Sequence, residues 1–353
     1  MELSSQRKVR YLEPAWDLED ISIYLTSALA GTGPALALSP VDYTSVDSSC
    51  ALIVSTTGTS GIQKDVALSA TALLTNARAS LSYLDAKPGD RWSLLLPLTH
   101  VAGINVLIRS LELGTAPIDL REMKNYVDVD FTAIVPTQLH SALHGDENLL
   151  RHLKAAKAVL VGGAALDLGL AQAARDAGIT IITTYGATET SGGCVYDGIP
   201  LAGTTVEIEN GLIVISGKTL ASGYLNHPTL WPDRSRFHTQ DLGQMRDGRL
   251  VVLGRADDVI ISGGANISLH QVEEILRTNF PASQAVAVGL ADEHWGQALH
   301  IAHVGELDTT LASSLLAENI GMSAKPKGFH QVAELPLIGI GKVDRRALEK
   351  MLR

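Results

Sequence analysis

The sequence is poor in cysteine, in aromatic residues and in charge. It has two cysteines, Cys50 and Cys194, which are too few for a disulfide framework, so we expect a reducing compartment and place the protein in the cytoplasm. Aromatic residues make up 5% and charged residues 19% of the 353 positions. Because 46% of the residues are hydrophobic, the chain can still bury a large core, which excludes an intrinsically disordered protein.

Positive charge is scarce as well. The chain has 28 lysine and arginine residues against 38 aspartate and glutamate residues, which gives a formal net charge of −10. This balance provides no broad attraction to nucleic acid or to an anionic membrane surface, so we expect neither as a partner. Small anionic ligands would have to be held at local sites by a few cations.

An uninterrupted membrane span is also missing. The stretch Ile21–Val41 has no charged residue and is long enough to cross a bilayer, but Gly31–Pro34 divides it into a short helix and a short strand, Ala35–Leu38. A second uncharged run, Trp92–Ile108, contains proline and glycine and is typical of a strand, a loop and a buried helix. The N-terminus lacks the apolar core of a signal peptide, so we expect no membrane insertion.

Apolar runs of strand length alternate with helical patterns over the first half of the chain. This alternation predicts an α/β fold, a large N-terminal lobe with mostly parallel sheets covered by helices. In chain order the predicted elements are Ala51–Val54, Leu68–Leu84, Trp92–Leu96, Val101–Leu113, Phe131–Val135, Thr137–Lys154, Ala158–Val161, Leu166–Ala177 and Ile179–Thr183. Three short strands, Thr204–Glu209, Leu212–Ser216 and Arg249–Leu253, predict a small antiparallel sheet or barrel.

The pattern changes again near Arg255, where a compact α+β domain is predicted. Its first helix begins after Ser268, with Gln271 placed for a capping box. The predicted elements are the helix Leu269–Asn279, the strands Gln284–Gly289 and Ala298–Val304, and the helices Thr309–Asn319 and Asp344–Leu352. At roughly 150 residues per domain, the length fits two domains. We expect residues 1–256 to form the N-terminal lobe and residues 257–353 a small mobile C-terminal domain.

The segment Ser55–Lys64 has the composition of an anion-binding loop. Gly58 and Gly61 allow the backbone N–H groups to turn toward an anion, hydroxyl side chains add donors and Lys64 adds charge. It is not a Walker A loop, because Lys64 follows Gln63 and is not followed by serine or threonine. Taken alone, the segment is equally typical of an ordinary surface loop.

Four further blocks follow this loop, Thr184–Glu189, Thr239–Gly243, Gly254–Asp258 and Gly339–Arg345. The five blocks in this order resemble the adenylate-forming superfamily, which contains acyl-CoA synthetases, adenylation domains and luciferases. The resemblance runs from about Ser55 to Leu348. Four positions depart from the family's usual residues: Gln63 replaces proline, Gln240 replaces glycine, Leu269 replaces proline and Gln271 replaces glutamate. None of these four positions carries the family's chemistry.

The resemblance implies a two-step reaction. The family joins a carboxylate to ATP, which gives an acyl-adenylate and pyrophosphate, and then transfers the acyl group to a thiol. It implies that Tyr185 stacks on adenine, that Asp241 binds the ribose hydroxyls and that Asp257 is the hinge of the C-terminal domain. The implied ATP- and AMP-binding residues are Thr56, Thr57, Gly58, Thr59, Ser60, Gly61, Lys64, Gly163, Ala164, Thr184, Tyr185, Gly186, Thr188, Asp241 and Arg255.

The implied catalytic residues are Lys342, His100 and Glu189. Lys342 would stabilise charge as the carboxylate attacks the α-phosphorus, Glu189 would hold Mg²⁺, and His100 would line the acyl pocket. ATP, Mg²⁺ and coenzyme A are the implied cofactors and substrates. Structural explanations also exist, since Tyr185 could pack in the core, Asp241 could be a turn residue and Lys342 could be one of many solvated lysines.

Arg109 lies in an apolar helical stretch, where an arginine usually needs a partner. It could form a salt bridge with Glu112 or interact with the helix end, or it could bind a second carboxylate on the substrate, which its planar fork suits. The segment from His100 to Arg109, with the block around Ser191 and Gly192, looks most like the o-succinylbenzoate–CoA ligases of menaquinone synthesis. In that branch the substrate carries an aromatic carboxylate, so the implied substrate pocket contains His100, Arg109, Ser191 and Gly192.

Several interpretations stay open at the level of sequence. The acid could be another aryl or fatty acid, and the chain could be a free-standing adenylation domain or a non-catalytic binding protein that keeps the fold. A homodimer also stays open. Only 54 residues precede Ser55, so we expect the N-terminal subdomain that family members usually carry to be shortened.

Overall fold

The computed structural model describes residues 5–57, 63–123, 126–338 and 342–353. The chain folds into two compact units. The first contains the chain up to Glu209 together with Val214–Thr239 and Met245–Leu250, and the second contains Val251–Arg353 together with Asn210–Ile213 and Gln240–Gln244. The hinge at Asp257 and the domain boundary there remain predictions.

Two complete sheets lie in the first unit, and two further strands of residues 1–225 belong to a third sheet. The strands of residues 1–225 are β1 (Gln6–Tyr11), β2 (Ala35–Ala37), β3 (Ser45–Asp47), β4 (Cys50–Thr57), β5 (Gln63–Ser69), β6 (Trp92–Leu94), β7 (Ile118–Asp119), β8 (Phe131–Ile134), β9 (Ala158–Val161), β10 (Ile181–Ala187), β11 (Gly192–Tyr196), β12 (Ile199–Pro200), β13 (Thr204–Glu209), β14 (Leu212–Gly217) and β15 (Gly223–Tyr224). One sheet has the order β12-β11-β10-β9-β8-β6-β7 and is parallel from β7 to β10. The other is mixed, with the order β15-β5-β4-β2-β1-β3.

Six helices accompany these sheets in the described residues. They are α1 (Leu18–Leu29), α2 (Ala70–Tyr83), α3 (Val101–Glu112), α4 (Pro136–Leu143), α5 (Glu147–Ala155) and α6 (Leu168–Asp176). The α/β prediction is therefore confirmed, with strands such as β8 and β9 buried along their whole length. In the described part of the chain, no helix is both long and apolar enough to cross a bilayer.

Two predicted boundaries in this unit are wrong. The predicted helix from Leu68 begins only at Ala70, because Ser69 ends strand β5 and its hydroxyl accepts the backbone N–H of Ala72. The predicted helix Thr137–Lys154 is two helices. Gly145, with φ 145°, breaks it, and the Asp146 side chain caps α5 by accepting the N–H of Leu149.

The remaining strands are β16 (Arg236–Arg246), β17 (Arg249–Arg255), β18 (Val259–Ser262), β19 (Ala265–Ser268), β20 (Gln284–Asp292), β21 (Gly296–Val304), β22 (Gly328–Gln331), β23 (Leu337–Ile338) and β24 (Lys342–Val343). The helices are α7 (Leu269–Asn279), α8 (Thr309–Asn319) and α9 (Arg345–Leu352). Strands β13, β14, β16 and β17 form one sheet in that order. A second has the order β19-β18-β21-β20 with β22 beside β21, and β23 pairs with β24. As predicted, α7 begins after Ser268, whose hydroxyl accepts the Gln271 N–H.

A buried arginine near the N-terminus joins three elements of the first unit. Arg7 on β1 is 9% exposed, and its guanidinium donates to the carbonyl oxygens of Gly33, Cys50, Ser27 and Ala28 at 2.6, 3.0, 3.3 and 2.6 Å. Ser27 and Ala28 belong to the last turn of α1, where carbonyls lack helical partners and the helix dipole favours a cation. One side chain therefore connects β1, α1 and the start of β4.

A buried histidine makes stability depend on pH. His152 on α5 is 2% exposed, its Nδ1 donates to the Val127 carbonyl at 2.9 Å, and its Nε2 lies 2.9 Å from the Ser93 hydroxyl. Burial lowers the pKa of this imidazole. The unfolded chain takes up a proton as the pH falls through ~6.5, and the folded protein does not. Stability should therefore be full above that pH and be lost as the pH falls toward the lower folded-state pKa.

We expect the His152→Gln variant to lose this dependence. Between about pH 7.5 and about pH 5.5 its urea midpoint should fall less than that of the parent protein. The exposed His294 supplies a matched control, and His294→Gln should follow the parent. Parallel pH curves for all three proteins would contradict the role given to His152.

Candidate active site

The predicted anion-binding segment, Ser55–Lys64, begins on strand β4 and ends on strand β5. Strands β4 and β5 are antiparallel, with Thr56 opposite Lys64 and Thr57 opposite Gln63. The predicted phosphate-binding residues Gly58, Thr59, Ser60 and Gly61 lie outside the described residues, as does the side chain of Thr57. The Lys64 ammonium lies 5.0 Å from the centroid of the Tyr224 ring.

The predicted nucleotide-binding residues of the parallel sheet share one of its edges. Gly163 and Ala164 follow the carboxyl end of β9, and Thr184 and Tyr185 lie in the last part of β10. Open α/β sheets bind ligands at this carboxyl edge. Gly162 is needed for the close approach, because a Cβ there would lie 2.1 Å from the Thr184 Oγ1.

A tight turn connects β10 to β11 at the same edge. Thr188–Thr190 form a short 3₁₀ helix, and Ser191 and Gly192 follow with positive φ of 58° and 100°. The Thr190 hydroxyl accepts the Ala187 N–H at 2.8 Å. A Cβ at Gly186 would lie 2.2 Å from the Gly192 carbonyl oxygen, so this turn requires glycine where the strands meet.

Glu189, in this turn, fits the role of a Mg²⁺ ligand. Its Oε1 accepts a hydrogen bond from the Tyr224 hydroxyl at 2.7 Å. Among the described residues, no hydrogen-bond donor contacts its Oε2. Nowhere in the described ranges do three or more His, Cys, Asp or Glu side chains form a group that could hold a metal ion. A single carboxylate is still sufficient, since Mg²⁺ commonly binds one or two carboxylates together with substrate phosphates.

Arg109 is buried without a carboxylate partner in the described part of the chain. It is 3% exposed on α3, its Nη2 donates to the Tyr196 hydroxyl at 3.1 Å, and its Cζ lies 5.0 Å from the centroid of the Trp92 ring. Its Nε is buried with no hydrogen-bond partner. Glu112, the salt-bridge partner considered above, is bound instead to Arg78 at 2.5 Å. The structure therefore does not support a salt bridge between Arg109 and Glu112.

The Ser191–Gly192 turn packs against the helix that carries Arg109. Asn105, one helical turn before Arg109, donates from Nδ2 to the Ser191 carbonyl at 2.8 Å, and its Oδ1 is buried without a partner. A Cβ at Gly192 would lie 2.4 Å from the Asn105 Nδ2. The Ser191 hydroxyl donates to the Thr219 carbonyl at 2.8 Å. The predicted substrate residues Arg109, Ser191 and Gly192 thus lie on connected elements.

His100 occupies the N-cap position of α3 and makes no side-chain capping bond. The residue is exposed overall, but neighbouring atoms partly desolvate its ring, and this desolvation lowers the pKa of the imidazole. A lowered pKa keeps the ring neutral at neutral pH. His100 follows β6, which is parallel to β8, so it begins α3 at the same carboxyl edge as Tyr185.

Three predicted residues of the second unit form one ion-pair group. Arg255 donates from Nε and Nη2 to the Asp257 carboxylate at 2.7 and 2.8 Å, and its Nη1 lies 3.3 Å from Asp241 Oδ1. The hydrogen-bonded Asp257 carboxylate raises the pKa of Arg255. The arginine expected to contact ribose is therefore also bound to the residue expected to be the hinge.

The C-terminal block is anchored at the start of α9. Asp344 caps this helix by accepting the Ala347 N–H at 2.9 Å, and Arg345 holds both carboxylate oxygens of Glu273 at 2.7 and 3.0 Å. Burial raises the pKa of Glu273, and Arg345 opposes that shift. Lys342 lies on the backbone of β24, three residues before this ion pair, and its side chain is outside the described part of the structure.

Sequence reasoning misses Tyr224 and Tyr196, which contact predicted site residues, and Asn226, which bonds the backbone on either side of Lys64. Asn226 bonds the backbone of Asp65 and Gln63, 161 and 163 positions away, and Tyr196 bonds Arg109, 87 positions away. No local spacing signals contacts between residues this far apart. The one sequence feature near Tyr224 is Gly223, whose φ of 122° admits few other residues.

Comparison with known proteins identifies relatives over nearly the whole chain. A family model described as AMP-binding enzyme matches residues 18–225. A Mycobacterium tuberculosis protein named "Probable 2-succinylbenzoate--CoA ligase" is 38% identical, over 92% of this chain and 93% of its own length.

Two solved structures share the fold. The o-succinylbenzoate CoA synthetase MenE of Bacillus subtilis, in complex with the acyl-adenylate intermediate OSB-AMP, is 22% identical with a TM-score of 0.75, covering 97% of this chain and 83% of that one. The amide bond synthetase McbA of Marinactinospora thermotolerans is 21% identical with a TM-score of 0.76, covering 91% and 76%. The same fold thus occurs in a CoA synthetase and in an amide bond synthetase.

Proposed function

We propose that this chain, which belongs to the AMP-binding enzyme family, is an ATP-dependent ligase that converts 2-succinylbenzoate to its coenzyme A thioester in menaquinone synthesis. In the first step the succinyl carboxylate attacks the α-phosphorus of ATP, which forms an acyl-adenylate and releases pyrophosphate. In the second step the thiol of coenzyme A attacks the acyl carbon, which forms the thioester and releases AMP. The relative from Mycobacterium tuberculosis carries the name of this activity.

The choice of acid rests on Arg109, which is buried and has no carboxylate partner among the described residues. A buried cation without a carboxylate partner costs free energy, because the Tyr196 hydroxyl and the Trp92 ring replace only part of the hydration that Arg109 loses. An aromatic carboxylate on the substrate would supply the missing partner, and a guanidinium suits it because two parallel hydrogen bonds can form. The Ser191–Gly192 turn, which packs on the same helix, places no large side chain beside an aromatic ring.

The proposed roles of the other residues follow the reaction. Tyr185 would stack on adenine beside Gly163 and Ala164, while Asp241 and Arg255 would hold the ribose. Lys64 would bind phosphate, together with residues 56–61. Mg²⁺, when bound at Glu189, would neutralise phosphate charge as it develops. The protein's contribution is positioning and electrostatic stabilisation, as is general for phosphoryl transfer.

Pyrophosphate release with a panel of acids tests this function. The sharpest comparison is 2-succinylbenzoate against 4-oxo-4-phenylbutanoate, which lacks only the ring carboxylate. We expect kcat/KM to be at least about 10²-fold higher for the dicarboxylate, because a site that pairs a polar group discriminates strongly against an analogue without it. Mass spectrometry should detect the coenzyme A thioester as the product.

Two results of this experiment would contradict the proposal. A preference for benzoate or a fatty acid would show that the enzyme class is right and the acid wrong. Formation of an acyl-adenylate that coenzyme A does not convert to a thioester would favour a free-standing adenylation enzyme.

A further inference from the structure

One side chain, Tyr224, contacts both the predicted metal ligand and the predicted phosphate-loop lysine. Tyr224 is 5% exposed on β15, where it pairs with Val66 of β5. Its hydroxyl donates to Glu189 Oε1 at 2.7 Å, and its ring centroid lies 5.0 Å from the Lys64 ammonium. Glu189 and Lys64 belong to different parts of the first unit, and Tyr224 is a described residue that touches both.

The phenol donates to Glu189, because a carboxylate can only accept a hydrogen bond. The ring is packed from another side by Trp231, whose centroid is 5.8 Å away and whose indole N–H donates to the Arg236 carbonyl at 2.7 Å. Both the hydroxyl and the ring of Tyr224 are therefore held in place.

The residues after Tyr224 fix the backbone on either side of Lys64. The Leu225 N–H donates to the Asp65 carbonyl at 2.9 Å. The side-chain amide of Asn226 accepts the Asp65 N–H and donates to the Gln63 carbonyl, each at 2.9 Å. The segment Tyr224–Asn226 thus holds Lys64 by its backbone and by its ammonium group.

We propose that Tyr224 is a positioning residue for adenylation, which orients the Glu189 carboxylate toward Mg²⁺ and the Lys64 ammonium toward the phosphates of ATP. The hydrogen bond occupies Oε1 and leaves Oε2 for the metal. A donor that orients a metal-binding carboxylate commonly changes metal affinity about 10- to 100-fold when it is removed. The aromatic face stabilises the lysine by a cation–π interaction. This inference rests on the proposed function for the adenylation step alone.

The Tyr224→Phe variant removes the hydroxyl and keeps the ring. Calorimetric titration of the enzyme with ATP, at several Mg²⁺ concentrations and with no acid present, measures the effect without turnover. We expect the Mg²⁺ concentration for half-maximal ATP binding to rise about 10- to 100-fold. The KM for the acid, and thioester formation from supplied acyl-adenylate, should be unchanged because neither uses the metal carboxylate. Tyr83→Phe is a matched control, since its hydroxyl also faces a carboxylate, Asp197, at 3.4 Å.

A double-mutant cycle distinguishes a positioning role of Tyr224, exerted through Glu189, from a general structural role. If Tyr224 acts through Glu189, the Tyr224→Phe change should have no effect on Mg²⁺ dependence in a Glu189→Gln background. An equal effect in both backgrounds, or an unchanged Mg²⁺ dependence in Tyr224→Phe alone, would overturn the proposal. Because the titration contains no acid, a wrong assignment of the substrate leaves this test intact.

Discussion

Replacement of Lys342 by alanine should reduce the rate of acyl-adenylate formation by about 10²- to 10³-fold, the usual effect of removing one group that stabilises transition-state charge. The lysine would act only while the carboxylate attacks the α-phosphorus. Supplied acyl-adenylate should therefore still react with coenzyme A at close to the parent rate. ATP-dependent pyrophosphate release measures the first step, and thioester formation from synthetic acyl-adenylate measures the second.

The control for this experiment is an exposed lysine of the same region. Lys350 lies on the exposed face of α9, and Lys350→Ala should match the parent in both steps. The thermal unfolding midpoint of each variant shows whether the fold is retained. A Lys342→Ala protein that forms adenylate at the parent rate would exclude the mechanism proposed for this residue.

Replacement of Arg109 by alanine should raise the KM for 2-succinylbenzoate by about 10²- to 10³-fold, the range found when one partner of a buried charge pair is truncated. For 4-oxo-4-phenylbutanoate, which has no ring carboxylate, the KM should change little. The ratio of the two effects isolates the carboxylate contact from any general damage to the pocket. Steady-state pyrophosphate release with both acids measures it.

Arg78 provides the matched arginine for this comparison. Its side chain is 63% exposed and pairs with Glu112, so Arg78→Ala should leave both KM values unchanged. Equal losses on both acids in Arg109→Ala would show that Arg109 supports the fold of the pocket rather than recognises a carboxylate. The choice of substrate would then need another basis.

The sequence alone predicts this fold well wherever a local pattern repeats. The buried strands β8 and β9, the buried helix α3 and the amphipathic helix α7 follow from apolar spacing, and their observed bounds lie close to the predicted ones. Strand β5 does not follow from the sequence, because Gln63–Ser69 begins with polar residues and leads directly into a helix. Its partner strand β4 supplies the hydrogen bonds that settle its structure.

The candidate site shows the same division between local and distant information. The resemblance identifies Glu189, Lys64 and Arg109 because each lies in one of the short sequence segments on which the resemblance is based. It does not identify Tyr224 or Tyr196, since their roles depend on strand pairings between distant parts of the chain. A hydroxyl group in a strand carries no signal of the carboxylate or guanidinium that it will meet.

The four carbonyl contacts of Arg7 set a limit on how far the N-terminus can be trimmed. Removal of Arg7 itself would take one donor from the buried Cys50 carbonyl and the shorter of two donors from the Ala28 carbonyl, and each hydrogen bond lost costs ~0.5–1.5 kcal/mol. Shortened versions that begin after Arg7 should therefore be recovered in lower soluble yield than those that retain it.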